Sequence, residues 1–231
     1  MKYLFSIIIY FFAAITFIFI GPILLIVILI NPPLIYRIVI PFCGLMVRAF
    51  GCSVKYNNKV PVDETFVIMA NHCSFLDVFA IPCTFTGKFS AVAASKNFTI
   101  PIYSLFLKKL KVVSIDRSNR EQAIDGIKQA EQLIKEGYHI VILPEGTRTK
   151  DGELGKFKKG GFHLAINTQA RILPIVTKGL FRIKPVNRFT INPGEIKINV
   201  GNPINTSNKS IDQLLLETEK TFNKMIKDIT Y

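Results

Sequence analysis

The feature that most constrains the fold is a long stretch without charge near the start of the chain. No charged residue occurs from Tyr3 to Tyr36. About 20 apolar residues suffice to cross the hydrocarbon core of a bilayer, so this stretch predicts a helical membrane anchor. A cleaved signal peptide is disfavoured, because the small residues Ala13 and Ala14 are followed by more apolar sequence instead of a mature domain. We therefore assign residues 1–50 to a membrane anchor.

Prolines divide this anchor and leave two arrangements open. Gly21-Pro22 interrupts the apolar stretch and Pro32-Pro33 ends it. The segment is either one tilted, kinked span or two helical pieces that dip into one leaflet. Residues 34–50 are again apolar but carry arginines near their ends, which favours a helix in the membrane interface. Basic residues place the rest of the chain on the cytoplasmic face of the inner membrane; they are Arg37, Arg48, Lys55 and Lys59.

The charge distribution indicates a phosphate-bearing partner. The net charge is +13, no acidic residue precedes Asp63, and five basic residues without an acid lie between Arg171 and Gly194. Such patches attract anionic lipids, nucleic acids or phosphorylated substrates, although they are also compatible with a plain solvated surface. Nucleic acid is disfavoured, because the phenylalanines concentrate in the anchor and tryptophan is absent. The four cysteines lack the paired spacing of a zinc site and fit a reducing compartment.

After Lys59, short apolar stretches alternate with amphipathic ones, which predicts an α/β domain with a mixed central sheet flanked by helices. We assign residues 51–231 to this domain. The predicted strands are Cys52–Tyr56, Thr65–Ala70, Phe89–Ala93, Val112–Ile115, Tyr138–Leu143, Ile172–Thr177 and Glu195–Val200. The predicted helices are Phe75–Phe85, Ile102–Leu110, Asn119–Glu136, Gly161–Asn167 and Ile211–Ile229. Two capping boxes are expected, Ser118 with Glu121 and Ser210 with Gln213, and Gly137 is expected to end a helix. Residues 178–194 are predicted to form a long irregular basic loop.

The first polar cluster, Asn71-His72-Cys73-Ser74-Phe75-Leu76-Asp77, follows a predicted strand. Five residues along an ideal helix separate two side chains by about 140°. His72 and Asp77 therefore meet only if His72 lies in the turn before the helix and Asp77 in its first turn. In that case a histidine base has a carboxylate to orient it. The alternative is structural: Ser74 and Asp77 resemble a capping box, and His72 is then a loop residue. Cys73 is disfavoured as a nucleophile, because its side chain points away from that of its neighbour.

Two further clusters end predicted strands and suit an anion. Asp116 and Arg117 form either a structural ion pair or a site where Arg117 projects toward a phosphate. The turn Pro144-Glu145-Gly146-Thr147-Arg148 combines a glycine, a hydroxyl donor and a cation, and is either a phosphate site or a connector. The basic, glycine-containing stretch from Lys156 to Gly161 continues the same chemistry. The fourth stretch, Leu173-Pro174-Ile175-Val176, is apolar and is expected to form a pocket wall.

Taken in order, NHCSFLD (71–77), SIDR (114–117), PEGTR (144–148) and LPIV (173–176) resemble the four motifs of the glycerolipid acyltransferase family. Within it they are most similar to the bacterial branch that acylates 1-acylglycerol-3-phosphate. The resemblance covers about residues 60–205, and each motif alone is modest. Four motifs in one order and spacing are far more specific.

The resemblance implies that His72 is the general base and that Asp77 orients it, without an acyl-enzyme intermediate. It further implies that Arg117, Glu145, Gly146, Thr147 and Arg148 hold the phosphate of lysophosphatidic acid. The donor is expected to be acyl-CoA or acyl carrier protein, with no metal and no other cofactor. Two alternatives stay open: a sibling O-acyltransferase that acts on another lysolipid, such as a lyso-ornithine lipid, and a non-enzymatic membrane-anchored protein that binds phosphates.

Overall fold

The computed structural model describes residues 1–116 and 119–229. It confirms the predicted α/β class: a mixed sheet of seven strands lies between two layers of helices. The strands are β1 Ser53–Tyr56, β2 Val67–Ala70, β3 Phe89–Ala94, β4 Val113–Ile115, β5 His139–Ile142, β6 Ile172–Lys178 and β7 Glu195–Val200. Each of them matches a predicted strand to within two residues at either end.

The order of strands across the sheet is β1-β7-β6-β2-β5-β3-β4. All neighbouring strands are parallel except β6 and β7, which are antiparallel. Strands β2 and β5 therefore end at the same edge, with Val67 paired to Ile140 and Met69 to Ile142. This register brings the first and third polar clusters together, because each begins directly beyond its strand.

The helices are α1 Lys2–Ile30, α2 Ile35–Ala49, α3 Asp77–Ala80, α4 Tyr103–Lys109, α5 Arg120–Lys135, α6 Gly160–Thr168, α7 Leu180–Ile183 and α8 Ile211–Asp228. The predicted helix Phe75–Phe85 is shorter than expected: it begins at Asp77 and continues after Ala80 as a 3₁₀ turn over Ile81–Thr84. The predicted irregular loop 178–194 contains one helical turn, α7.

Alternation along the strands divides the core into two. In β2, Ile68 and Ala70 face the side of α1 and α2, whereas Val67 and Met69 face the side of α5, α6 and α8. All four side chains are fully buried. A strand that is buried on both faces has a continuous apolar sequence, and β2 shows this with Val67-Ile68-Met69-Ala70.

Helix α1 is continuous through Pro22, so the Gly21-Pro22 pair interrupts the apolar stretch without dividing the helix. The helix is followed by a 3₁₀ turn at Pro32–Leu34, as the proline pair predicts. By length and composition, Lys2–Ile30 and Pro32–Ala49 could each cross a membrane. One side of α1 packs against α2 and joins the core on that side of the sheet through Ile9, Ala13, Leu25 and Ile28. The opposite side is exposed and apolar; we call it the outer face, and its residues include Leu4, Ile8, Phe11, Phe12, Phe19, Ile23 and Ile26. The division of the chain at residue 50 stays a prediction.

The helix ends agree with the sequence at two of three sites. Ser210 and Gln213 form the predicted capping box of α8. Gly137, with φ +85°, follows α5, and the N–H groups of Gly137 and Tyr138 donate to the carbonyls of Ile134 and Leu133. At the start of α5 the cap is Asn119, which accepts from the N–H of Gln122, and not Ser118, which lies outside the described residues.

Candidate active site

The turn after β2 folds around one carboxylate oxygen. Asp77 is the first residue of α3 and is fully buried. Its Oδ2 lies 2.7 Å from Nδ1 of His72 and accepts from the N–H groups of Cys73 and Ser74, both at 3.0 Å. Its Oδ1 has no hydrogen-bond partner among the described residues. The His72–Asp77 contact therefore has the predicted geometry, with the histidine in the turn and the aspartate in the first helical turn.

This contact determines which ring nitrogen can react. With Nδ1–H donated to the Asp77 carboxylate, the acceptor nitrogen of a neutral His72 ring is Nε2. The side chain of His72 is 19% exposed, so the ring is accessible from outside while its orientation is fixed from within. Such a pair can remove a proton from a hydroxyl group and stabilise the imidazolium that results.

Glu145 connects this turn to the loop that follows β5. Its buried carboxylate accepts from the N–H of His72 through Oε1 at 2.7 Å and from the N–H of Gly155 through Oε2 at 2.8 Å. Burial raises the pKa of the Glu145 carboxyl, although the two backbone donors oppose that shift. The sequence assigned Glu145 to phosphate binding. In the structure its carboxylate instead holds the backbone of His72, and the N–H of Thr149 donates to the carbonyl of His72 at 2.8 Å.

Asn71 anchors the same turn from the other side. Its Oδ1 accepts from the N–H of Thr177 at 2.7 Å and from the Thr177 hydroxyl at 3.1 Å, and its Nδ2 donates to the Thr177 carbonyl at 2.9 Å. Sequence reasoning did not identify Thr177. The available signal was its position as the first polar residue after the apolar fourth motif, on a strand that the structure pairs directly with β2.

A cavity of about 820 Å³ is connected to this turn through Glu145 and Thr149, which both line it and bond the main chain of His72; His72 and Asp77 themselves are not among its lining residues. Glu145, Gly146, Thr147 and Arg148 all line it. Their predicted role in binding a phosphate stays a prediction. Its other lining residues include apolar side chains, among them Val92, Ile115, Ala123, Ile127, Ile142, Leu143 and Leu154, and three lysines, Lys150, Lys156 and Lys158. Two acidic residues, Asp151 and Glu153, also line it, and Asp151 accepts hydrogen bonds from the Thr149 hydroxyl and the N–H of Glu153. The cavity therefore suits an amphipathic molecule with an anionic group. Arg117, the remaining predicted member of this set, lies outside the described residues, two positions beyond the lining residue Ile115.

The fourth motif does not line this cavity. Leu173 and Ile175 are fully buried beneath α1 and α2, so β6 supports the site instead of forming a pocket wall.

The Cys73 thiol is also buried, and burial, with Asp77 and Glu145 nearby, strongly raises its pKa, which opposes formation of a nucleophilic thiolate. His139 is buried in β5, and its Nδ1 accepts from the N–H of Phe66 at 3.2 Å.

Sequence and structure comparisons agree on the type of domain. The family model described as Acyltransferase matches residues 51–178. A chloroplastic 1-acyl-sn-glycerol-3-phosphate acyltransferase of Arabidopsis thaliana is 32% identical over 70% of this chain, which spans only 46% of that relative. An uncharacterised acyltransferase of Schizosaccharomyces pombe is 38% identical over 78% of this chain and 67% of its own length.

A solved structure shows the same fold over the whole chain. It is the 1-acyl-sn-glycerophosphate acyltransferase PlsC of Thermotoga maritima, with a TM-score of 0.86, covering 100% of this chain and 98% of its own. The sequence identity is 22%, so this likeness concerns the architecture, including the two N-terminal helices.

Proposed function

Because this chain belongs to the acyltransferase family, we propose that it transfers a fatty acyl group from an acyl thioester to the sn-2 hydroxyl of 1-acylglycerol-3-phosphate, which gives phosphatidic acid in phospholipid biosynthesis. The observation that carries the proposal is the contact of 2.7 Å between His72 Nδ1 and Asp77 Oδ2, in a turn that Glu145 connects to a cavity whose lining includes basic and apolar side chains. The names of the Arabidopsis and Thermotoga proteins support this choice of acceptor.

In the proposed mechanism His72 is the general base. Its Nε2 removes the proton of the glycerol hydroxyl while the hydroxyl oxygen attacks the thioester carbonyl. The tetrahedral intermediate then collapses, the carbon–sulfur bond breaks, and the thiolate takes the proton from the His72 imidazolium. Asp77 holds the ring and stabilises its positive charge during the reaction. A positioned base of this kind contributes about 10²–10⁴-fold to the rate.

We assign binding of the acceptor phosphate to Gly146, Thr147 and Arg148, which line the cavity, and also to Arg117. A backbone turn that contains glycine allows close approach, and the arginine fork matches a phosphate. Glu145 is a positioning residue in this scheme, since both of its oxygens accept from the backbone. The donor, acyl-CoA or acyl carrier protein, is itself acidic and suits the basic surface around the cavity.

The proposed location is the cytoplasmic face of the inner membrane. The outer face of α1 is apolar and exposed along its length, and acceptor and product are both lipids. A helix with one face on protein and the other in lipid holds the site at the surface where its substrate lies.

The test is the release of free thiol from acyl-CoA by the purified protein in detergent, with and without lysophosphatidic acid. We expect release that depends on the acceptor and that falls about 10²–10⁴-fold in His72→Ala. His163→Ala is the matched control, because His163 is exposed on α6. Release without acceptor identifies a thioesterase and contradicts the proposal. Release with lyso-ornithine lipid but not with lysophosphatidic acid identifies the sibling enzyme instead.

A further inference from the structure

The segment after α7 is an exposed loop with apolar side chains at its tip. Residues 184–191, which we call the aromatic loop, follow Ile183 and precede β7. Phe189 is 55% exposed and Val186 is 37% exposed. Phe189 also stacks on Tyr3, which is 68% exposed, and contiguous exposed apolar side chains mark an interaction surface more often than isolated ones do.

The aromatic loop is held in shape by its own cations. The Arg188 guanidinium donates to the carbonyls of Thr190 at 3.0 Å, Arg182 at 2.6 Å and Ile183 at 2.9 Å. The Lys184 ammonium donates to the carbonyls of Pro185 and Arg188. These bonds close the loop on itself, so Phe189 is presented outward without a large cost in conformational freedom on binding.

The tip of this loop packs against the N-terminal turns of α1, on the side next to its outer face at Tyr3, which is 68% exposed. The Phe189 ring stacks on Tyr3 at 6.4 Å between centroids and lies 5.4 Å from the ring of Tyr10. The Tyr10 hydroxyl donates to the Phe189 carbonyl at 2.8 Å, and the N–H of Ile191 donates to the Ser6 hydroxyl at 3.1 Å. Phenylalanine and tyrosine rings at one end of an apolar helix resemble the aromatic belts found at membrane interfaces.

The charge of this region selects among possible partners. Arg182, Lys184 and Arg188 lie within seven positions, and no acidic residue occurs from Arg171 to Gly194. Lys2 adds a further positive charge next to Tyr3. Each basic residue near an anionic bilayer contributes about a fivefold increase in binding. An apolar tip within a cationic rim therefore fits an anionic lipid surface better than it fits a neutral protein groove.

We propose that the aromatic loop is a second membrane contact, in which Phe189 and Val186 enter the interface of an anionic bilayer beside α1. This inference rests on the membrane anchoring in the proposed function. It adds a contact that comes from the catalytic domain itself, 179 residues along the chain from Tyr10.

The same loop reaches the candidate active site. The Ser74 hydroxyl donates to the Lys184 carbonyl at 2.8 Å. Phe181, just before the loop, packs against Gly152 in the loop that carries the third motif, where an added Cβ would lie 2.9 Å from the ring. A bilayer that holds Phe189 therefore fixes the height of the His72 turn relative to the lipid surface, where a lipid acceptor presents its hydroxyl.

Tryptophan scanning tests the contact directly, because the natural chain contains no tryptophan. Three full-length variants each carry one reporter: Phe189→Trp, Phe12→Trp on the outer face of α1, and Leu216→Trp on α8. Leu216 is 52% exposed on the opposite helical layer. Their fluorescence is measured on vesicles of phosphatidylcholine and phosphatidylglycerol that contain brominated lipid as a quencher. We expect quenching and a blue shift at positions 189 and 12 but not at 216.

The experiment distinguishes failure of the second membrane contact at Phe189 from failure of the anchoring by α1. If position 189 behaves like position 216 while position 12 is quenched, the second contact is wrong and the anchoring stands. If position 12 is not quenched either, the anchoring itself is wrong.

The contribution of charge is tested by the ratio of quenching at position 189 to that at position 12. We expect the ratio to rise when phosphatidylglycerol replaces part of the phosphatidylcholine. We expect it to fall again at ~1 M salt, where the Debye length is about 3 Å. A ratio that responds to neither change overturns the role of anionic lipid.

Discussion

Two buried carboxylates have different tasks at the scale of single residues. Asp77 concentrates three hydrogen bonds on Oδ2, one from the His72 ring and two from the backbone. Glu145 divides its bonds, one to each oxygen, and both donors are backbone N–H groups. Asp77 therefore acts on the ring of His72, whereas Glu145 acts on the position of its main chain.

Glu145→Gln tests the positioning role of Glu145. The amide offers one acceptor and one donor to two N–H donors, so one hydrogen bond is replaced by a repulsive contact. We expect a loss of about 1–3 kcal/mol in the free energy of unfolding. A displacement of His72 by about 1 Å can lower kcat by about 10²-fold. Urea unfolding in detergent and the thiol-release assay measure the two effects.

Glu219→Gln is the control, because Glu219 lies on α8 and is not among the residues that line the cavity. We expect it to leave both quantities nearly unchanged. If Glu145→Gln raises KM for lysophosphatidic acid while stability is unaffected, Glu145 contacts substrate and its assignment as a positioning residue is wrong.

At the scale of elements, the junction between β2 and β5 contains a titratable group. His139 begins β5, is 3% exposed, and accepts the N–H of Phe66, the residue before β2, on Nδ1. Its ring also stacks on Phe66 at 5.6 Å between centroids. Burial lowers the pKa of His139, with a smaller opposing effect from Glu64. Protonation of Nδ1 would turn this acceptor into a donor facing the Phe66 N–H.

The stability of the protein is therefore expected to fall in mild acid. A histidine with a lowered folded-state pKa contributes its full stability above the unfolded pKa of about 6.5, and this is lost as the pH falls toward the folded value. His139→Asn keeps an acceptor near Nδ1 but cannot be protonated in this range. We expect urea unfolding to show a smaller loss between neutral and mildly acidic pH in His139→Asn than in the wild type. Equal losses in both proteins would place the acid sensitivity elsewhere.

At the scale of the whole molecule, α1 has protein on one side and an exposed apolar surface on the other. Ile28 is fully buried on the inner side, whereas Phe11, Phe12 and Phe19 are 62%, 59% and 66% exposed. A surface of this extent is unusual on a soluble protein. Since the inner side belongs to the same core cluster as β2 and β6, we expect the proposed membrane binding and the stability of the domain to depend on different residues of one helix.

Replacement of Phe11, Phe12 and Phe19 by serine separates these two roles. Each phenylalanine removed from lipid costs about 1.5–3 kcal/mol, so we expect vesicle binding in flotation assays to fall by at least about 10-fold per residue. The free energy of unfolding in detergent should change little. Serine at exposed Val62, Ile124 and Leu216 is the control. Vesicle binding that falls equally in both variants would show that this face is not the lipid contact.

Much of the fold could be predicted from local pattern. The seven strands, the proline pair that ends α1 and the capping box of α8 are encoded by residues close together in sequence. The spacing of His72 and Asp77 allowed their contact, because both lie in one turn. The helix start at Asp77 was missed, since it follows from three donors that converge on one carboxylate and not from helix propensity.

The chain by itself determined which segments are apolar, which are basic and where each polar cluster follows a strand. These features depend only on the residues within a short stretch of sequence and on their spacing. Only the tertiary structure decided that Glu145 holds His72 across 73 positions and that Thr177 holds Asn71 across 106 positions. It also decided which side of α1 remains uncovered. These contacts depend on strand order and on the packing of one layer against another, and neither is set by the sequence near any one residue.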